Sequence, residues 1–274
     1  MKKLVTRAIT GIVLVLVMLT SILFSEYSFA ALFLLILFAS LREFNNLFKQ
    51  TEVKPNVYLS ILVSFILFGA SFFIARGTTD TKMAFGIFPL FFVIMATELY
   101  HKKSKPLENI AVTLFSILYV ALPLSLTNFL VFPGIFEKQT YTPSLLIALF
   151  CLIWIYDSGA YLVGVSIGKH RLFERISPKK SWEGAIGGTF FAVGASYAIA
   201  SFIPEIKFIH WAAISLIVVI SGTYGDLTES MFKRFFGIKD SGNILPGHGG
   251  LLDRFDSLFF VVPAVLAYIK LFIG

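Results

Sequence analysis

Nine runs of apolar residues, separated by short polar stretches, constrain this chain more than any other feature. They cover approximately residues 8–25, 27–41, 57–75, 83–99, 109–132, 143–167, 184–203, 208–225 and 255–273. A bilayer core asks for about 20 apolar residues per helix, with a range of roughly 17–25. Only α-helices and closed β-barrels satisfy their backbone polar groups in hydrocarbon, and runs of this length fit helices. The spacing therefore predicts an all-α polytopic membrane protein with about nine spans, the second of them short and either tilted or partly interfacial. Composition agrees. Of 274 residues, 57% are hydrophobic and 14% charged, and the mean hydropathy is +0.84. A soluble fold of this size has too little interior to hide so much apolar surface. The single cysteine, Cys151, lies inside an apolar run, so no intrachain disulfide holds the fold and the thiol reads as a buried side chain. The apolar stretch after Met1-Lys-Lys is followed by no small-residue cleavage site, and is read as a retained first span.

The basic residues test the count. With the N-terminus placed in the cytoplasm, nine alternating spans leave only Arg76, Lys82, Lys138, Lys207 and Lys270 on the outer side, of 23 Lys and Arg in all. The other 18 fall inside, as the positive-inside rule requires. One span more or fewer spoils that alternation. The formal net charge of +7 sits in short loops between spans, so it points to membrane orientation and anionic lipid and not to nucleic acid. The turn Lys102-Lys103-Ser104-Lys105-Pro106 divides residues 1–105, a four-span region almost without charge in its apolar runs, from residues 106–274, a five-span region that carries the polar chemistry.

That chemistry gathers in three places at the inner ends of the last four spans. The first is "WIYDSGAYLVGVSIGKHRL", where Asp157 lies within an apolar run. A charge there is costly and marks either a buried hydrogen-bonded role or a polar cavity. Gly159, Gly164 and Gly168 follow on the same span, and suit close helix packing. The second is "ISPKKSWEGAIGG", where Lys179 and Lys180 precede Ser181 at the start of a span. Ser181 is an N-cap candidate. Two ammonium groups beside a helix N-terminus suit a phosphate, although an inner-side basic flank looks the same in sequence. The third is "YGDLTESMFKRFFGIKDSGNILPGHGGLLDRFDS", with Asp226, Glu229, Asp240, Asp253 and Asp256 beside Lys233, Arg234, Lys239, His248 and Arg254. Hard carboxylate oxygens suit Mg²⁺ together with phosphate oxygens, Lys and Arg neutralise the remaining phosphate charge, and Gly247, Gly249 and Gly250 let backbone approach a phosphate. On a helix Asp253 and Asp256 share a face, with Arg254 turned aside, an arrangement that favours a cation. His248 fits either a general base or a hydrogen-bond donor to phosphate. The sequence has no Walker A motif, no Gly-x-Ser-x-Gly elbow and no Cys/His cluster for zinc.

Ser230-x-Phe-Lys233-Arg234, Lys239-Asp240 and Pro246-x-His248-Gly249-Gly250-x-x-Asp253-Arg254-x-Asp256 together resemble the signature of the phosphatidate cytidylyltransferases, or CDP-diacylglycerol synthases. Asp157-Ser-Gly-Ala-Tyr and Ser177-Pro-Lys-Lys-Ser-Trp-Glu-Gly are similar to that family's other two blocks. The resemblance covers about the last 120 residues. It implies transfer of the cytidylyl group of CTP to phosphatidate at the cytoplasmic face of an inner membrane, by a lipid phosphate that is already an anion and needs no strong base. It further implies Mg²⁺, admits a second, monovalent cation such as K⁺, and suggests a homodimer. On this likeness Asp226 and Asp253 lead the cation site, with Asp256 and Asp157 next. Lys179, Lys180, Lys233, Arg234, Lys239 and Arg254 would then hold phosphates, with Asp240, Gly249 and Gly250 in the CTP-binding loop. Two rivals stay open. A CTP-using polyprenol kinase would share the metal and phosphate apparatus, whereas a transporter would keep its acids near the midplane between repeats, and no repeat is visible here.

Overall fold

The computed structural model describes residues 2–101, 104–134, 140–247 and 249–273, with side chains omitted for 2–5 and 7. The chain is helical at each expected run. Helices α1 (Lys2–Phe24), α2 (Glu26–Asn46) and α3 (Val57–Ala75) come first. A 3₁₀ turn, Thr81–Ile87, leads into α4 (Phe88–Leu99). The fifth span is broken into α5 (Pro106–Ser116), a π-helical turn at Ile117–Ala121, α6 (Leu122–Leu126) and α7 (Asn128–Val131). Helix α8 (Ser144–Ile167) is followed by two short strands, β1 (Arg171–Phe173) and β2 (Ser177–Ser181), then by α9 (Trp182–Phe202), α10 (Phe208–Phe235) and α11 (Leu252–Phe272). Among the described residues, eight helical stretches are long and apolar enough to cross a membrane, and α1 adds a shorter apolar stretch, Ala8–Phe24. The all-α membrane fold expected from the sequence is what forms.

Two elements differ from expectation. The second span is not short: α2 starts at Glu26, where Ser25 and Ser28 cap it reciprocally, and continues for five residues past 41, where Glu43 and Asn45 are buried with partners. The stretch between α8 and α9 forms an antiparallel hairpin, with Arg171 opposite Ser181 and Phe173 opposite Ser177.

Packing divides the chain into two units, Met1–Pro133 with Gln139–Tyr141 and Asp240–Phe255, and Gly134–Lys138 with Thr142–Lys239 and Asp256–Gly274. The 1–105 and 106–274 partition concerns where charge lies along the sequence, which packing does not test. In the first unit a phenylalanine-rich core (Phe29, Phe33, Phe44, Phe68) is fully buried. Polar side chains stitch its spans. Ser60 and Ser116 share a 2.7 Å hydrogen bond between α3 and α5, and Asn128 donates to Ser71 at 2.8 Å. Asn109 donates to the buried Glu98 at 2.6 Å and accepts from the Lys54 amide at 2.6 Å. Such bonds are one of the forces that join helices when lipid is as apolar as the helix faces.

In the second unit α8 and α9 meet along a glycine seam. A Cβ on Gly184 would lie 2.7 Å from the Ala160 carbonyl oxygen, and one on Gly188 would lie 2.8 Å from that of Tyr156. The backbones are therefore in direct contact, and a side chain at either position would push the helices apart. Helix α10 joins them through a 2.6 Å bond between the Tyr156 and Thr223 hydroxyls. Gly225 of α10 admits the backbone of Asp256 and Ser257, and the Ser257 hydroxyl donates to the Gly222 carbonyl at 3.2 Å.

Candidate active site

The start of α9 is built first. Ser181 leaves the hairpin in an extended conformation (φ −126°, ψ 155°), and its Oγ accepts the Gly184 amide at 3.2 Å, the N-cap read from the sequence. Glu183 then reaches back from the first turn. Its carboxylate accepts the Lys169 amide at 3.1 Å, the His170 amide at 3.2 Å and His170 Nδ1 at 2.6 Å, which ties the hairpin to the helix. Gly168 leaves no room for a side chain, since a Cβ there would lie 2.5 Å from Ser181 Oγ. The result is a fixed hairpin whose second strand delivers Lys179 and Lys180 beside a helix N-terminus.

A cavity of about 650 Å³ opens there, lined by Asp157, Arg171, Lys179, Lys180 and Asp226 and, on its apolar side, by Tyr161, Val165 and Leu172. Lys180 Nζ lies 2.5 Å from Asp226 Oδ2, and Ser230 Oγ donates to Asp226 Oδ1 at 3.2 Å. Both partners of that ion pair are about a third exposed. Asp256, half-buried, accepts the Ser257 amide at 2.6 Å. It feels the charge of Asp226 most strongly, and also those of Lys233 and Asp157. Lys233 in turn pairs with the buried Glu229 one helical turn before it. Arg234 donates to the Ile176 carbonyl at 3.4 Å and to the Ile238 carbonyl at 3.3 Å, so it also braces the hairpin. Lys239 is exposed. The cavity thus brings together Asp157, Lys179, Lys180 and Asp226, with Asp256 and Lys233 in electrostatic reach of Asp226 and Asp256 respectively.

The remaining candidates belong to the first unit. Asp253, 7% exposed, opens α11, and its carboxylate accepts the Ser241 amide at 3.0 Å and the Gly250 amide at 2.8 Å. Gly249 has φ +83°, and a Cβ there would lie 2.7 Å from Asp253 Oδ2. The turn that presents Asp253 requires glycine on both counts. Asp240 and Arg254 are exposed. His248 lies outside the described residues. Sequence reasoning passed over two residues. Arg171 lines the cavity, and only its position three residues after Gly168 hints at this. Glu43, 3% exposed, accepts the Leu252 amide at 2.8 Å. Its one signal was a carboxylate beside Asn45 and Asn46 at the end of an apolar run.

The carboxylates offer hard oxygen donors only. Among the described residues no group of three or more His, Cys, Asp or Glu is placed to hold a metal by itself. Mg²⁺ usually takes one or two carboxylates and completes its shell with phosphate oxygens and water. Asp226 and Asp256, hard carboxylates that interact electrostatically, are donors of the kind such an ion takes.

Residues 5–272 match the model of a family described as the cytidylyltransferase family. Among curated relatives, a phosphatidate cytidylyltransferase of Staphylococcus aureus (strain COL) is 38% identical over 174 residues, 63% of this chain and 64% of the relative. One from Staphylococcus epidermidis (strain ATCC 12228 / FDA PCI 1200) is 36% identical over 180 residues, 65% of this chain and 66% of the relative. One from Staphylococcus saprophyticus is 36% identical over 174 residues, 63% and 64% of the two chains. The chain thus spans just under two thirds of the length of the relatives it matches.

Proposed function

This chain belongs to the cytidylyltransferase family, and from that premise we propose that it transfers the cytidylyl group of CTP to phosphatidate, releasing pyrophosphate and forming CDP-diacylglycerol for phospholipid synthesis. The observation that carries the reading is one cavity in which Lys179, Lys180 and the start of α9 face Asp157 and Asp226. Those are the components that bring an anionic lipid and a nucleoside triphosphate together. The names of the relatives supply the substrates.

In the reaction a phosphate oxygen of phosphatidate attacks the α-phosphorus of CTP. A P–O bond forms as the bond to the β-phosphate bridging oxygen breaks, and that electron pair leaves with pyrophosphate. The nucleophile is already an anion, so no side chain has to remove a proton. Catalysis consists of holding two polyanions in line and neutralising their charge. Lys179, Lys180 and Arg171 bind phosphate oxygens at the mouth of α9, whose unpaired amides favour an anion. Asp226 and Asp256 would hold Mg²⁺, with Asp157 as a further candidate ligand, and the ion would supply positive charge against the triphosphate. A monovalent cation such as K⁺ is a further candidate for the same acids. Lys233 lowers the mutual repulsion of Asp226 and Asp256. Asp253, its turn shaped by Gly249 and Gly250, is a further carboxylate for the cation, Lys239, Arg234, Arg254 and His248 are further donors to phosphate, and Asp240 belongs to the CTP-binding loop.

The protein works in the cytoplasmic membrane with its N-terminus and the cavity toward the cytoplasm, a reading supported by the sorting of Lys and Arg. The apolar wall of Tyr161, Val165 and Leu172 suits entry of a lipid whose tails stay in the bilayer. The working assembly is a homodimer, on family resemblance. The test uses purified protein in detergent with phosphatidate, Mg²⁺ and CTP labelled on the α-phosphate. Label appearing in lipid supports the proposal. Label that reaches lipid only from γ-labelled CTP would make the protein a lipid kinase instead, and no transfer of either label by folded protein would reject both.

A further inference from the structure

A buried acid in the second span bears on the glycine-rich loop nearly two hundred residues later. Glu43 is 3% exposed. Its Oε2 accepts the Leu252 amide at 2.8 Å, at the start of α11, and the Ser241 hydroxyl at 3.5 Å. The loop is cut to fit it. The three atoms nearest a Cβ added at Gly242 all belong to Glu43, with Cδ at 2.6 Å, and a Cβ on Gly250 would lie 2.7 Å from the same Cδ. The carboxylate would normally be the movable end of a flexible side chain. Here it is enclosed and hydrogen-bonded, so it cannot swing aside without stranding a buried acceptor. Asp253 grips the same loop from its other side through the amides of Ser241 and Gly250. Ser241 and Gly250 are thus touched by both acids, all within the first unit.

We propose that Glu43 is a positioning residue: through Leu252 and Ser241 it fixes the backbone that presents Asp253, and so sets the rate of transfer without touching either substrate. It gives the N-terminal spans a part in the chemistry, and it rests on the cytidylyl-transfer reading only for its kinetic consequence.

The test takes the full chain in detergent and combines two readouts, hydrogen–deuterium exchange of the 241–252 segment and steady-state kinetics with CTP and phosphatidate. Glu43→Ala should speed exchange at Ser241 and Leu252. It should also lower kcat by about 10- to 100-fold, the usual effect of losing a supporting contact behind a working carboxylate, with KM for CTP within about threefold. Glu43→Gln, the same shape without the charge, should give a smaller loss in the same parameter, and it carries the test if the alanine variant does not fold. Gly242→Ala should reproduce the defect, because its methyl group displaces Glu43. The double variant Glu43→Ala/Gly242→Ala should be no worse than Glu43→Ala, since the obstructed group is gone. Wild-type exchange in both Glu43 variants, strictly additive losses in the double variant, or a loss borne by KM with kcat intact would overturn the proposal. If the wild-type protein transfers no cytidylyl group, the functional reading fails by itself, and the exchange data and the double variant's thermal midpoint still judge Glu43.

Discussion

Two pairs of carboxylates, one pair in each unit, keep different company. Glu43 and Asp253 accept hydrogen bonds from backbone amides of Ser241, Gly250 and Leu252. Asp226 and Glu229 face the ammonium groups of Lys180 and Lys233. A main-chain amide is part of the framework and cannot leave when a ligand arrives. An ammonium group on a four-carbon stem can. In the proposed reaction Lys180 would turn to an arriving phosphate and leave Asp226 to a cation, so this ion pair would hold both halves of the binding site. The lesson is that the partner of an acid, more than its burial, tells whether its carboxylate is held by the framework or by a side chain that can move.

The contrast can be broken experimentally, beginning with its strongest consequence. Asp226→Asn should lower kcat for cytidylyl transfer by about 10²- to 10³-fold, as expected for a group that balances charge at the reacting phosphates, while the thermal midpoint in detergent stays near the wild-type value. A large fall in the midpoint would place Asp226 with the structural acids. Asp253→Asn should do the reverse in emphasis. It sets an amide donor against the Ser241 and Gly250 amides, so besides reducing transfer it should cost about 1–3 kcal/mol of stability, read as a lower midpoint. An unchanged midpoint would erase the distinction between the two pairs of acids. Lys180→Ala removes the exchangeable partner, and should raise KM for CTP or phosphatidate about tenfold, the scale of one charge-assisted phosphate contact. Lys180→Arg tests whether a point charge suffices. The smallest effect is Ser181→Ala, which removes the α9 cap and should lower stability by about 1 kcal/mol. Because that cap also sits beside Lys180, a KM change larger than the stability loss would sharpen the case that the helix N-terminus is part of the phosphate site.

Much of this was legible in the sequence because it is local. A bilayer-length apolar run needs no partner to be recognised, and all nine runs are helical. Ser181 at the start of a span declared a cap, and Gly159, Gly164 and Gly168 declared close packing along α8, although the α9 glycines that meet it were not read from the sequence. What stayed hidden depends on distance along the chain. Glu43 looked like one stray charge at a span end, since its partners are Ser241 and Leu252. Helix α2 was underestimated for the same reason, because the polar residues Arg42, Glu43, Asn45 and Asn46 stop an apolar run without stopping a helix. The hairpin at Arg171–Ser181 was missed because its strands are three and five residues long and carry no alternation of apolar and polar side chains. Arg171 was missed with it. The breaks in the fifth span, around Pro123 and Thr127, lie inside a run that reads as continuous when hydrophobicity alone is scanned.

The glycine seam between α8 and α9 has a consequence for how such a protein adapts. The distance between these helices is set by main chain meeting main chain at Gly184 and Gly188, so the location of Lys180 does not depend on which side chains clothe the outside of the pair. Leu162, Ile186 and Phe190, each more than half exposed, are therefore open to replacement by other apolar residues. One lineage can retune that outer coat for a thinner, thicker or stiffer bilayer while the interior machinery keeps its dimensions, much as a clock can be recased without resetting its gears.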